Sequence, residues 1–286
     1  MEQTGPITFR LLEEADIPFG MELKNIAGWN QTPADWQAYR RYEPEGCFVA
    51  MYKGKPAGTV TTIDYAGRFG WVGMVLVHPA RRRLGIGTAL LRQGIAYLRR
   101  IGVETVKLDA TPMGKKVYVP MGFCDEYELD RRQGAGVTTD APHFPNISKG
   151  DLADLIRFDA EAFGASRARV VARLAAENPD LAYIARSQSG APAGYIIARK
   201  GWEAYQIGPW VSNSASLAEE LFARVLDRLA GMRIFLDVPH PNEHALQIVA
   251  RYGFDIQRGF TRMYLGVNSH PGKPAWTYGT SGAEKG

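Results

Sequence analysis

Apolar positions along the chain change period repeatedly, and the changes mark the elements. Ile7-Thr8-Phe9-Arg10 alternates as a strand does, and a helical pattern follows from about Glu14 to Ala27. Gly28-Trp29-Asn30-Gln31 breaks it; Thr32 then caps a second helix, with Pro33 at its first position and Asp35 in its first turn. Cys47 to Tyr52 and Pro56 to Tyr65 read as strands joined by the hairpin signal Lys53-Gly54-Lys55. The compact run Met74-Val75-Leu76-Val77, ended by His78-Pro79, suits a strand covered on both faces. Leu90, Leu91, Ile95, Leu98 and Ile101 recur at helical spacing, which predicts an amphipathic helix starting near Gly87 or Thr88. Val103 to Leu108 is another strand, Lys115 to Val119 a short helix, and Gly122-Phe123 leads into a last strand through Leu129.

Periodicity is lost between Arg131 and Ser148, and the same order of elements then returns. Asp151 to Phe163 and Ala168 to Ala176 are helical; Leu181 to Arg186, Gly194 to Arg199 and Trp202 to Val211 are strands. Ser216 to Leu229 (helix), Arg233 to Val238 (strand), Glu243 to Tyr252 (helix) and Phe260 to Leu265 (strand) complete the copy. Gly122-Phe123 matches Gly253-Phe254 in place, and Leu108-Asp109 matches Leu236-Asp237. The period is far longer than the roughly 20–50 residues of array repeats, so this is a divergent duplication. It divides the chain into a first domain (1–134), a linker (135–147), a second domain (148–267) and a tail (268–286), of which Trp276 and Tyr278 are expected to pack down.

Composition narrows the class. A chain of 286 residues suits two domains of roughly 100–150 each. Hydrophobic content of 45% and charged content of 22% are globular values, and no apolar run approaches the roughly 20 residues of a membrane helix. Met1 to Pro6 has no basic and apolar leader pattern, and two cysteines, Cys47 and Cys124, cannot make a disulfide framework. The expectation is a cytoplasmic protein, monomer or homodimer, with reduced thiols and no membrane partner. A net charge of +4 is too modest for a chain whose main task is binding nucleic acid, so none is expected and the positive excess is assigned to a local anion. The place for it is Arg81-Arg82-Arg83-Leu84-Gly85-Ile86-Gly87. Glycines at a helix start let backbone N–H groups approach a ligand, and the helix dipole favours negative charge there, most simply a pyrophosphate.

Arg82-x-x-Gly85-x-Gly87 lies between a strand and a long helix. It is followed in order by Leu108-Asp109-Ala110-Thr111-Pro112 and by Tyr118-Val119-Pro120-Met121-Gly122-Phe123. On these motifs the first half, Ile7 to Asp130, resembles the GCN5-related N-acetyltransferases (GNAT), which move an acetyl group from acetyl-CoA to an amine. The second half resembles the degenerate C-terminal domain of tandem members. The resemblance implies an α/β (α+β) fold of two tandem GNAT-like domains, each a mixed, mostly antiparallel central sheet flanked by helices. It also implies acetyl-CoA as cosubstrate, no metal, and a splay between the strands at Met74 and Leu108. Arg82, Arg83, Leu84, Gly85, Ile86, Gly87 and Thr88 would then hold the pyrophosphate, and Leu76 and Val77 would offer main-chain groups to the pantetheine. Tyr118 would protonate the leaving thiolate, its ordinary pKa of about 10 being close to a thiol's. Asp109, Asp64 and Glu22 are candidate bases, with Asp109 nearest the expected cleft. Trp29, Asn30 and Gln31, with Asp64, are expected on the acceptor side.

The second half departs from the motif. Ser212-Asn213-Ser214-Ala215-Ser216 has neither glycines nor arginines, and Val249 stands at the counterpart of Tyr118. This half is expected to close over the acceptor side, with Trp202, Tyr205, Trp210 and Arg262 as candidates. His240-Pro241-Asn242-Glu243-His244 matches H-x-x-E-H, but the prolines put His240 at or before the helix start and no third ligand is apparent, so zinc is set aside. Gly85-Ile86-Gly87 is not a nicotinamide fingerprint, because Leu90 stands at the third glycine. The expected activity is direct transfer of acetyl from acetyl-CoA to a primary amine of a small molecule. The alternatives are a non-catalytic acyl-CoA sensor and a protein-lysine acetyltransferase.

Overall fold

The computed structural model describes residues 7–286, so the leader reading of Met1 to Pro6 lies outside the described residues. The first half runs β1 (Ile7–Leu11), α1 (Ile17–Ile26), α2 (Pro33–Tyr42), β2 (Phe48–Tyr52), β3 (Lys55–Tyr65) and β4 (Phe69–Val77). It continues through α3 (Ile86–Arg100), β5 (Val106–Ala110), α4 (Pro112–Tyr118) and β6 (Cys124–Ala135). The second half repeats this with β1 reduced to a single antiparallel bridge, Asn146 to Tyr183, followed by α5 (Leu152–Phe163), α6 (Ala168–Glu177), β7 (Ala182–Arg186), β8 (Pro192–Lys200) and β9 (Tyr205–Ser212). Then come α7 (Ala215–Arg228), β10 (Arg233–Pro239), α8 (Glu243–Arg251), β11 (Asp255–Leu265) and the short β12 (Thr277–Gly279).

Local chemistry accounts for the element ends. Thr32 and Asp35 form a reciprocal capping box that starts α2. α4 begins one turn before its apolar pattern because the Thr111 hydroxyl accepts from the Gly114 N–H. β6 runs past Leu129 to Ala135 because residues 129–135 pair with β10, a partner that no local pattern reveals.

The twelve strands of the described residues form one sheet, ordered β1-β2-β3-β4-β5-β11-β6-β10-β9-β8-β7, with β12 on β9. Only β4 with β5 and β9 with β10 are parallel. At the centre the halves exchange strands. β11, from the second half, lies between β5 and β6, while β6, from the first, lies between β11 and β10. The main apolar core likewise crosses the join, packing Trp36, Tyr65, Phe69 and Trp71 with Phe163, Leu174 and Tyr195. Past residue 276 the chain is not a loose tail. Tyr278 packs 5.0 Å from the Trp210 ring, and nearly every residue from Thr277 to Gly286 is buried. Cys47 is buried and Cys124 exposed, each a free thiol. Among the described residues no helix is long and apolar enough to cross a membrane.

Candidate active site

β4 and β5 pair only at Gly70 with Val106 and at Trp71 with Lys107, and part beyond that point. A bulge in β4 accompanies the parting. Its register against β3 shifts between Thr59 and Thr61, and Met74 sits at a φ of 49°. The opening leads into a cavity of about 970 Å³, near the top of the roughly 300–1,000 Å³ common for small-molecule sites. Leu76 and Val77 line it, on the stretch of β4 that has no partner on the β5 side.

Arg81, Arg82, Arg83, Gly85, Ile86, Gly87 and Thr88 form one wall, while Leu84 packs onto the core under α3. Arg83 and Gly85 are both left-handed, with φ of 63° and 78°. Gly85 is the N-cap of α3 and offers no side chain, and the first N–H of this end with a backbone acceptor is that of Ala89, bonded to Gly85 O at 3.0 Å. The N–H groups of residues 83–88 therefore have no acceptor among the described residues. A Cβ on Gly87 would meet only Val77 Cγ2 at 3.6 Å, so the protein leaves that space open. Free N–H groups at a helix start around an open space fit a phosphate. The arginines have separate tasks: Arg82 Nε donates to Val77 O at 3.3 Å, Arg81 lies 5.7 Å from the Tyr52 ring centre, and Arg83 is exposed.

Tyr118, at the end of α4, faces the same cavity. Its ring lies 5.9 Å from that of Phe123 and so close to Gly114 that a Cβ there would sit 3.0 Å from it. Burial pushes the phenol up to about 12, so it stays protonated. Asp109 lines the cavity too, but its carboxylate is bound bidentately by Arg262 at 2.8 and 2.9 Å. Arg262 also donates to the Tyr127 hydroxyl at 2.6 Å. Burial works against the Arg262 charge, and Asp109 outweighs it and raises the guanidinium above its ordinary value. Burial raises the Asp109 carboxyl against the pull of Arg262, but that guanidinium occupies both carboxylate oxygens, and this geometry argues against Asp109 as a proton acceptor and for a positioning role.

On the acceptor side Trp29 lines the cavity, but Asn30 does not. Asn30 is spent on a clamp to the second half, donating to Ala204 O at 3.0 Å and accepting from the Glu203 and Ala204 N–H groups. Asp64 is at the other end of β4, where it accepts from the Gly67 N–H of the β3–β4 turn at 2.8 Å. These two placements correct the expectation that Asn30 and Asp64 face the acceptor. Glu22 is also outside the cavity wall and reaches His78 at 3.4 Å. Gln31 lines the cavity with Trp29 as expected, and Arg131, Arg258, Phe260, Ala283 and Glu284 are among the residues that join them. The duplication held a signal for Arg131 alone of the strand residues, since it and Arg262 follow their Gly-Phe pairs at the same distance. Nothing local pointed to Ala283 and Glu284.

In the second half β9 and β10 pair only from Tyr205 to Ile207, and then part as β4 and β5 do. Here the chain itself fills the gap. Thr277 and Gly279 pair with Val211 and Trp210, Thr280 N–H donates to Asp237 O at 2.9 Å, and a Cβ on Gly208 would fall 1.8 Å from Thr280 O. Asn242 holds this plug by donating to Thr277 O at 3.1 Å, while its side-chain oxygen caps α8. Of the candidates in this half, Trp210 is core, Trp202 is exposed beneath Lys24, Tyr205 packs on the core, and only Arg262 adjoins the open cleft.

Two family models match the chain: the acetyltransferase (GNAT) family over residues 11–123 and an acetyltransferase (GNAT) domain over residues 155–279. Holothin acyltransferase of Pseudoalteromonas sp. (strain SANK 73390) is 25% identical over 241 residues, 83% of this chain and 81% of that protein. A solved structure from Pyrococcus horikoshii, described as a candidate acetyltransferase, is 23% identical and superposes with a TM-score of 0.83 over 98% of this chain and 96% of that one. A tandem GNAT protein from the clavulanic acid biosynthesis pathway is 16% identical, with a TM-score of 0.64 over 91% of this chain and 98% of its own. These structural likenesses bear on the fold.

Proposed function

Because the chain belongs to the GNAT acetyltransferase family, with one such domain in each half, we propose that its first half transfers acetyl from acetyl-CoA directly to a primary amine of a small molecule. The observation that carries the reading is the open splay of β4 and β5, with free N–H groups on one wall and Tyr118 on another. Residues 83–88 would hold the pyrophosphate, and the free edge of Leu76 and Val77 would bond the pantetheine amides as a strand edge bonds a peptide. A backbone N–H near Val77 polarises the thioester carbonyl. The amine forms the new C–N bond as the C–S bond breaks, Tyr118 gives its proton to the departing thiolate, and the proton released by the amine restores the buried phenol. The carboxylates on the wall, Asp109 and Glu284, are both held in ion pairs, so in this reading water takes the proton from the amine.

The second half and residues 283–284 cover the acceptor end, which favours a small amine over a lysine on a folded protein. A cytoplasmic location remains part of the proposal and rests on composition. The test is Tyr118→Phe. It should bind acetyl-CoA as the parent does, while turnover on an amine panel, scored by CoA release, falls roughly 100-fold or more. Unchanged turnover would remove Tyr118 from the chemistry, and no CoA release from any amine would favour a sensor.

A further inference from the structure

The exchanged strands bring three arginines to one side of the cleft, and they are not equivalent. Arg131 is bonded to Asp237 at 2.7 and 2.8 Å, and Arg262 to Asp109. Arg258 has no hydrogen bond or ion pair among the described residues, and its Nε is buried without an acceptor. A register shift between Ile256 and Arg258 re-aims the strand there, and strand alternation then puts Arg258, Phe260 and Arg262 on one face. The Arg258 guanidinium lies 5.5 Å from the Phe260 ring centre, and both side chains line the cavity. Burial and the nearby Arg131 charge push it down to about 10, which still leaves it a cation at neutral pH.

Glu284, on the same wall, is not its counterion. That carboxylate accepts from Gln31 at 2.8 Å and is paired with Lys285 and Arg199. Each other charge on this part of the wall is thus balanced within the protein, and one positive charge is left over. The pyrophosphate has its own cradle at residues 83–88, on different elements. Leaving a guanidinium unpaired in a half-buried position is costly, and an incoming anion would relieve that cost.

We propose that Arg258 recognises a carboxylate on the acceptor, so that the substrate class is amines carrying an acidic group, such as amino acids and their derivatives. The inference rests on the acyl-transfer reading, because it takes this end of the cavity as the acceptor's. The test uses L-amino acids paired with their carboxamides, read by calorimetric binding in the presence of CoA and by CoA release from acetyl-CoA. The carboxylate member of at least one pair should be favoured about tenfold or more, the scale of one charge-assisted hydrogen bond. Arg258→Gln should bring that ratio close to 1, and Arg258→Lys should keep part of it. If acids bind in an Arg258-dependent way but no amine is acylated, carboxylate recognition by Arg258 stands, while the acyl-transfer reading fails and the acids' role as acceptors falls with it. If carboxamides bind and react as well as the acids, or Arg258→Gln leaves the ratio unchanged, the proposal is overturned while acyl transfer stands.

Discussion

At Gly85 the backbone has a φ of 78° with nothing within 4 Å of a would-be Cβ, whereas Gly87 has ordinary helical backbone and room for a methyl. The first glycine is needed for conformation; the second is not, and in the proposed cradle it matters only for what approaches the helix end. Gly85→Ala should therefore lower stability by about 1 kcal/mol, the cost of a left-handed non-glycine residue, and weaken acetyl-CoA as well. Gly87→Ala should leave the melting temperature unchanged or slightly higher, since alanine is the better helix former, yet still weaken acetyl-CoA in a titration. Wild-type affinity in Gly87→Ala would count against the cradle. That both glycines and Tyr118 line one cavity follows from motifs that are local in the sequence, while the roles given to them belong to the proposal. Asn30 lies between Trp29 and Gln31, which do face the cleft, and Asp64 lies on β3, next to the strand that lines it. Their side chains are claimed by partners that only the fold supplies, Ala204 for one and the Gly67 turn for the other.

Strands β6 and β11 show how far pattern reading goes at the scale of elements. Their alternation and their Gly-Phe entries are visible in the sequence, as is the repeat that makes Asp109 match Asp237. The crossing is not visible, because strand order is set by pairing between residues about a hundred or more positions apart. Its chemical mark is a pair of bidentate bridges, each joining an aspartate of one half to an arginine of the other: Asp109 to Arg262 and Asp237 to Arg131. Asp237 and Arg131 are almost fully buried, so removing one partner strands the other's charge. Asp237→Asn should cost about 3–5 kcal/mol in urea unfolding. Adding Arg131→Met should recover part of that loss, because the unpaired charge goes with it. A single mutant that unfolds at the wild-type midpoint would show that the exchange is held by packing alone.

For the whole molecule, the segment past residue 276 links the two sites. It first plugs the second cleft as β12 and then reaches the first, where Trp71 Nε1 donates to Ala283 O at 3.1 Å and Tyr65 donates to Lys285 O. Around it lies a buried charge cluster drawn from both halves. Asp35 of α2 meets Arg199 of β8 at 2.9 Å and Arg173 of α6 at 3.8 Å, and Arg199 reaches Glu284 at 3.7 Å. Burial alone would raise both acids; Arg199 and Lys285 outweigh it and hold Asp35 and Glu284 below their ordinary values of 3.8 and 4.5. The unfolded chain therefore takes up protons first on acidification. The stability these acids contribute is full above about pH 5 and is lost progressively as the pH falls through the ordinary carboxylate range toward their depressed folded-state values. Urea midpoints should be level from pH 7 to 5 and then drop steeply toward pH 3. Asp35→Asn should be less stable at pH 7, because it leaves Arg199 short of a partner, and should show a shallower drop in acid. A variant with the wild-type slope would place the acid sensitivity elsewhere, and the join between the halves would then owe its strength to the aromatic core around Trp71 and Phe163.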